Sequence, residues 1–279
     1  MRLTAAISPD PDDLFMFRAL MEGLVDPRGL TFEVTTSDTD ALNRMASGVG
    51  ADINAISIAH YPRIAAKYQL FRHGASVGRG YGPVVVALHG KEPDSLVGKR
   101  IAVPGLTTTA WLVLRLLIGE FEAVVTPIVP YSRTFDTLRA GNVDAALLIH
   151  EGRLTFEDEG CTALLDLGVA WAERSGGLPL PLGGNVIRRS LGPDIIARAS
   201  AAIHDSIAHA LAHREAAMDW LIARGVTLQT RSRLDQYLGM YANADTLDMG
   251  EDGCGAVRRL LAEGAERGWV PGVDVVDFV

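Results

Sequence analysis

The residues best suited to chemistry sit at the ends of apolar runs. The segment Asn142-Val143-Asp144-Ala145-Ala146-Leu147-Leu148-Ile149-His150-Glu151 follows a glycine-punctuated helix end and carries a strand-length apolar run up to a histidine. Such runs form buried strands of parallel sheets, and ligands of open α/β sheets bind beyond the carboxyl ends of strands. His150 is therefore delivered to a place where chemistry is possible. A histidine that only caps a strand fits the same pattern. Residues 42 to 57 repeat the grammar with a helix, Gly48 and Gly50, Asp52, an apolar strand and then Ser57. Ser57 and His150 are expected at similar strand ends of two related α/β lobes facing each other across a cleft.

Two other strand ends offer polar groups. Leu3 to Ile7 reads as a strand that runs into Ser8-Pro9-Asp10-Pro11-Asp12-Asp13 and a helix with apolar residues at 14, 17, 20, 21 and 24. Ser8 is expected to face a ligand, whereas Asp12 and Asp13 read first as N-capping groups opposing the helix dipole. A strand over 99–104 leads into Gly105-Leu106-Thr107-Thr108-Thr109-Ala110. Capping explains one threonine; three at a helix start combine hydroxyls with unpaired N–H groups and predict a carboxylate site. His60, His73 and His89 lack partners at catalytic spacing and are expected to pack or lie on the surface. His209 and His213 are spaced i, i+4 but lack the acidic HExxH context, so they and His204 read as surface histidines.

These groups need a scaffold. Strands are predicted over 30–35, 84–88 and 123–129, extended segments over 153–156 and 164–167, and helices over 39–47, 58–67, 105–118, 132–140 and 168–174. The tail is mainly helical, over 195–212, 214–223, 232–242 and 250–267. Gly78-Arg79-Gly80-Tyr81-Gly82-Pro83 precedes a strand, the wrong order for a phosphate loop, and reads as a crossover between lobes. The stretch 178–185 suits a second crossover. The expected division is a larger discontinuous lobe, 1–86 with 184–279, and a smaller inserted lobe, 87–183.

The 279 residues, 48% hydrophobic and 22% charged, can build two ordinary domains. A net charge of −8 without a Lys or Arg block argues against nucleic acid or an anionic membrane surface. Cys161 and Cys254 stand alone, with neither disulfide nor metal spacing. The opening residues lack the apolar core of a signal peptide, no membrane span is predicted, and a cytoplasmic protein is expected. A homodimer is allowed by the composition but specified by nothing in it.

Several ordered motifs carry a resemblance over almost the whole chain. They are Ser8-Pro9-x-Pro11-x-Asp13 with Phe15-x-Phe17-x-Ala19-Leu20, Gly78-Arg79-Gly80-x-Gly82-Pro83, Ala102-Val103-Pro104-Gly105 through Thr108-Thr109-Ala110, Ile149-His150-Glu151 with Arg153, and Asp166-Leu167-Gly168 leading to 178–183. Together they resemble the 1,4-dihydroxy-6-naphthoate synthase family of the futalosine route to menaquinone. The resemblance implies an α/β, two-lobed type II periplasmic-binding-protein-like fold with a ligand cleft between lobes. It also implies conversion of cyclic dehypoxanthinyl futalosine to 1,4-dihydroxy-6-naphthoate with release of dihydroxyacetone. The family's proton acceptor falls on His150, and its substrate contacts fall on Ala55-Ile56-Ser57 and on Thr109-Ala110. Asp12 departs from the asparagine that the family carries there.

Forming the aromatic ring asks for proton removal from carbon and cleavage of carbon–carbon or carbon–oxygen bonds, so a lyase without metal or nucleotide cofactor is expected, acting on a small carboxylate. Thr107, Thr108, Thr109 and Ser57 would hold the carboxylate and polar oxygens. Glu151, adjacent to His150 in a strand-like segment, is expected to point away and be structural. Two alternatives share the fold: chorismate dehydratase, and a solute-binding protein for small carboxylates.

Overall fold

The computed structural model describes residues 1–128, 130, 132–226, 228 and 230–279. In chain order the strands are β1 (Arg2–Ile7), β2 (Thr31–Thr36), β3 (Ile53–Ser57), β4 (Tyr68–Leu70), β5 (Ser76–Gly78), β6 (Val84–Leu88), β7 (Arg100–Val103), β8 (Glu122–Val125), β9 (Ala145–Leu148), β10 (Cys161–Asp166) and β11 (Leu180–Arg188). The helices are α1 (Pro11–Met21), α2 (Thr39–Ser47), α3 (Thr109–Ile118), α4 (Ser132–Arg139), α5 (Gly152–Thr155), α6 (Leu167–Ser175), α7 (Pro193–Ala212), α8 (Arg214–Ala223), α9 (Arg231–Tyr241), α10 (Ala244–Leu247) and α11 (Gly250–Glu266).

The strands form two sheets, ordered β2-β1-β3-β11-β4, with β5 also on β11, and β10-β6-β9-β7-β8. Each sheet has the same kernel. In the first, β1 lies parallel between β2 and β3, and β3 pairs antiparallel with β11. In the second, β7 lies parallel between β8 and β9, and β9 pairs antiparallel with β6. The two central strands, β3 and β9, are buried along their whole length, as apolar runs without alternation require. The aspartates ahead of them do the same job: Thr4 N donates to Asp52 Oδ2 at 2.9 Å, and Arg100 N to Asp144 Oδ2 at 2.9 Å.

Several expectations are corrected. Residues 180–188 form β11, a central strand of the first sheet, where a crossover was expected over 178–185. Pro181, which cannot donate to a ladder, sits where the register against β5 shifts between Pro181 and Gly183. The three-residue strands β4 and β5 were not foreseen. Residues Gly152–Thr155 are helical, not extended. The helix expected over 58–67 is a 3₁₀ turn, Ile58–Arg63, with Pro62 inside it. The strand expected to end at Val129 closes at Val125, and Val129 itself lies outside the described residues.

The chain passes from the first sheet to the second across 79–83 and returns across 167–179. The two crossings touch: a Cβ on Gly168 would meet the Tyr81 carbonyl at 2.0 Å, and one on Gly82 would meet Gly168 N at 2.6 Å. Only glycine allows backbones this close. The lobe limits expected at 86/87 and 183/184 fall inside β6 and β11, and we propose that they lie in these crossings instead. A continuous apolar core that includes Ile56, Leu70, Val85, Ile101, Val113, Leu147, Trp171 and Val257 spans both lobes. Among the described residues no helix is long and apolar enough to cross a membrane. Cys161 and Cys254 are buried free thiols.

Candidate active site

On the first lobe the site grows from the end of β1. Pro11 opens α1, and Asp10 stands at its N-cap without a side-chain capping bond. Asp12 and Asp13, expected as caps, are 6% and 8% exposed and engage other groups. Ser8 N donates to Asp13 Oδ2 at 2.6 Å, and the Ser8 hydroxyl donates to Asp10. Asp12 takes both its hydrogen bonds from hydroxyls, Tyr237 Oη to Oδ1 at 3.0 Å and Ser76 Oγ to Oδ2 at 2.9 Å.

On the second lobe β9 ends at Leu148, and the chain turns at His150 with φ +50°. A left-handed backbone at a non-glycine residue costs about 1–3 kcal/mol. The turn is held by Arg153 N donating to His150 O at 3.3 Å and Leu154 N to Glu151 O at 2.8 Å. Strand alternation therefore does not reach Glu151, which has helical angles, is buried, and adds its charge to the site. It is not among the residues that line the cavity.

His150 Nδ1 lies 3.1 Å from Asp10 Oδ2 and 3.2 Å from Tyr237 Oη. Burial alone would lower the imidazole pKa, but the carboxylates of Asp10, Asp12, Glu151 and Asp13 outweigh it and leave His150 raised above its ordinary value. Asp10 is pushed up to about 6, first by burial and then by Glu151 and Asp12, against the opposing pull of His150 and Ser8. Burial, with Asp12 and Asp10 beside it, also holds Asp13 well above the ordinary carboxylate range.

Facing this acidic wall is a wall of hydroxyls and amides. Asn43 on α2 accepts from Ser57 N at 2.9 Å and donates to Ser57 Oγ at 3.1 Å and Thr107 Oγ1 at 3.0 Å. The three threonines divide their work. Thr107 donates to Asp40 Oδ1 at 2.7 Å and lies outside the cavity lining. Thr108 caps α3 through Trp111 N. Thr109 Oγ1 donates to Leu182 O at 2.7 Å and accepts from Ala59 N at 3.1 Å, tying the helix start to the first lobe. The N-terminus of α3, at Thr109 and Ala110, opens on the cavity with first-turn N–H groups that have no helical acceptor.

Between the walls lies a cleft with about 770 Å³ of unfilled space, part of it open to solvent. Its lining includes Ser8, Ala55, Ile56, Ser57, Thr108, Thr109, Ala110 and His150, all expected there, and excludes Thr107. Asp10, Asp12, Asp13, Ser76 and Tyr241 line it too and were not foreseen as ligand-facing groups. Leu42, Pro83, Ile149 and Leu182 supply an apolar middle, and none of the lining residues is Lys or Arg. A carboxylate here must be met by hydroxyls and N–H groups at the α3 end, because the opposite wall is acidic.

Asp10, Asp12 and His150 bring donor atoms within 4.8 Å of one another, close enough to share a cation. Asp12, however, already has both oxygens taken by hydroxyls, and Asp10 is paired with His150. The group is satisfied as a hydrogen-bonded acid–base cluster. His60 and His73 pack, each imidazole 2.9 Å from a serine hydroxyl, Ser47 and Ser200, and burial lowers both to about 4.

Two α/β lobes of like topology, exchanging the chain twice around a cleft, define the fold of the periplasmic binding proteins. The periplasmic aliphatic sulphonate binding protein SsuA of Escherichia coli aligns with a TM-score of 0.66 at 12% identity, over 97% of this chain and 89% of that one, which shows the fold alone. The chain belongs to the menaquinone biosynthesis family, whose match covers residues 3–266. It is 39% identical to the 1,4-dihydroxy-6-naphtoate synthase of Thermus thermophilus over 267 residues, 95% of each chain. It is 37% identical to the enzyme of the same name from Streptomyces coelicolor over 99% of this chain and 98% of that one. A crystal structure of an Archaeoglobus fulgidus protein at 39% identity gives a TM-score of 0.88, over 96% of this chain and 98% of that one.

Proposed function

We propose that this chain is an enzyme of menaquinone biosynthesis that converts cyclic dehypoxanthinyl futalosine to 1,4-dihydroxy-6-naphthoate and dihydroxyacetone, with His150 as general base. What carries the reading is the near-full-length identity to two enzymes of that name, 39% over 95% and 37% over 99% of this chain. The cleft suits the chemistry. The substrate carboxylate would dock against Ser57, Thr108, Thr109 and the N-terminus of α3, and its ring would lie across the apolar middle. The hydroxyl-rich end would then face the acidic wall, whose oxygens accept hydrogen bonds and repel a carboxylate. His150 takes a proton from a substrate carbon, and the C–H electron pair forms a double bond in the developing ring. The bond to the triose breaks with its own pair leaving on the triose, which takes up a proton, and the imidazolium formed is stabilised by Asp10 3.1 Å away. The step asks for proton transfer and bond cleavage, so the reading is of a lyase that needs no cofactor, at work in the cytoplasm.

The test is incubation of the purified protein with cyclic dehypoxanthinyl futalosine alone, followed by chromatographic detection of 1,4-dihydroxy-6-naphthoate and dihydroxyacetone in equal amounts. Absence of both, with water released from chorismate instead, would move the chain to the dehydratase reading. Tight binding of either compound without turnover would make it a solute-binding protein.

A further inference from the structure

We infer that Tyr237 and Asp12 are positioning residues for His150, holding its imidazole from across the cleft in the tautomer that carries the proton on Nδ1 and presents the Nε2 lone pair to substrate. The inference rests on the reading of His150 as the base.

Tyr237 Oη lies 3.0 Å from Asp12 Oδ1 and 3.2 Å from His150 Nδ1. A phenol has one proton to give. Tyr237 Oη donates to Asp12 Oδ1, so that proton belongs to Asp12, and the phenol oxygen is left to accept from the third member. Nδ1 must then carry a hydrogen. Asp12 is held in the accepting role by its second oxygen, which takes the Ser76 hydroxyl at 2.9 Å. Asp10 Oδ2, 3.1 Å from the same nitrogen, is a further acceptor for it. With two acceptors converging on Nδ1, Nε2 is the nitrogen that gains and releases the proton. In the step proposed above, the substrate C–H proton goes to Nε2, its electron pair forms the double bond in the developing ring, and Nδ1–H remains in place throughout. Histidine free in water prefers the opposite tautomer, so this contact reverses an intrinsic preference.

The lock is built between lobes. His150 follows β9 of the second sheet, whereas Asp12 lies in α1, which packs on α7, α8 and α9, and Tyr237 lies in α9. Separating the lobes would part the imidazole from both acceptors, so the tautomer depends on the lobes staying together as they do here. Tyr237 is wholly buried, and its ring fits the same space as phenylalanine.

The test combines ¹⁵N NMR of histidine-labelled protein, with the His150 signals assigned by their loss in His150→Ala, and steady-state kinetics of Tyr237→Phe, Asp12→Ala and the double variant. In the wild type the neutral imidazole of His150 should carry its proton on Nδ1. Asp12→Ala, which frees the phenol proton for donation to Nδ1, should shift it toward Nε2, whereas Tyr237→Phe leaves Nδ1–H to Asp10 and should shift it less. Both should lower kcat with KM nearly unchanged, Asp12→Ala by about 10- to 100-fold, a split that general loosening of the fold would not give. The double variant should be no worse than the worse single, because the two residues serve one hydrogen bond. A wild-type imidazole protonated on Nε2, an unchanged tautomer and kcat in Asp12→Ala, or strictly additive losses would overturn the inference. Turnover retained by His150→Ala overturns the base reading itself, and that result is read independently of the tautomer.

Discussion

The two lobes share a kernel of strands and differ in what they place at its ends. After the first parallel strand of each comes a helix start. In the first lobe it carries Asp10, Asp12 and Asp13, so the positive end of α1 is met by the chain's own carboxylates. In the second lobe it carries Thr108 and Thr109, and α3 keeps its N-terminus for a ligand. The central strands diverge in the same way. Ser57 ends β3 in ordinary extended geometry among amide partners, whereas His150 follows β9 through a left-handed turn into a nest of carboxylates. Each lobe thus contributes to both walls: the acids of lobe one face the histidine of lobe two, and the hydroxyl helix of lobe two faces the serine of lobe one. On the proposed mechanism, one scaffold used twice gives a binding wall and a reacting wall.

The largest effect should come from erasing the difference between the helix starts. Thr108→Asp keeps an N-cap acceptor for α3 but loses the hydroxyl that donates to Gly105 O at 2.8 Å, so some stability should be lost, and it makes the second helix as acidic as the first. A like charge against the substrate carboxylate should raise KM about 100-fold or more, read from initial rates. A small change in KM would mean that the carboxylate docks elsewhere.

Asp10→Asn tests the reacting wall by pH. In the proposed mechanism His150 acts deprotonated, and Asp10 leads the carboxylates that hold its pKa up, with Asp12, Glu151 and Asp13 behind it. Removing that charge lowers the pKa, so the rising limb of kcat/KM against pH should move to lower pH. The limiting rate should fall by about tenfold, since the imidazolium loses a charged partner. A limb that stays in place, or moves to higher pH, would show that another group sets it.

Thr109→Val should act on stability first. Its hydroxyl joins α3 to Leu182 O and Ala59 N of the first lobe, and leaving these buried groups unpaired should cost about 1–3 kcal/mol, read from chemical denaturation. An unchanged midpoint would show that the lobes do not depend on this tie.

Much of this was legible in the chain because the informative patterns are local. Helices over 39–47 and 214–223 and the strand over 84–88 follow from periodicity and flanking turn residues within a dozen positions. The repeated Gly, Asp and apolar run announced β3 and β9 and therefore Ser57 and His150. β11 was hidden because Pro181, Gly183 and Gly184 read as punctuation, and only pairing with β3, β4 and β5 makes them a strand. Asp12 and Asp13 were misread because a carboxylate at a helix start has a sufficient local explanation. Thr107 failed the other way: its partners, Asp40 and Asn43, are more than 60 residues distant. Tyr237 gave no signal, since an aromatic residue on the buried face of a helix is ordinarily core. Asn43 did leave one, a polar residue among the apolar positions of α2.

The central claim is that one wall binds and the other reacts, and His150→Ala separates the two most directly. Titration of that variant with cyclic dehypoxanthinyl futalosine, beside its rate of naphthoate formation and a melting curve to confirm folding, gives both quantities on one protein. The account predicts affinity within a few-fold of wild type and turnover lower by about 10²- to 10⁴-fold. Turnover near the wild-type rate, or loss of affinity as large as the loss of rate, would contradict it.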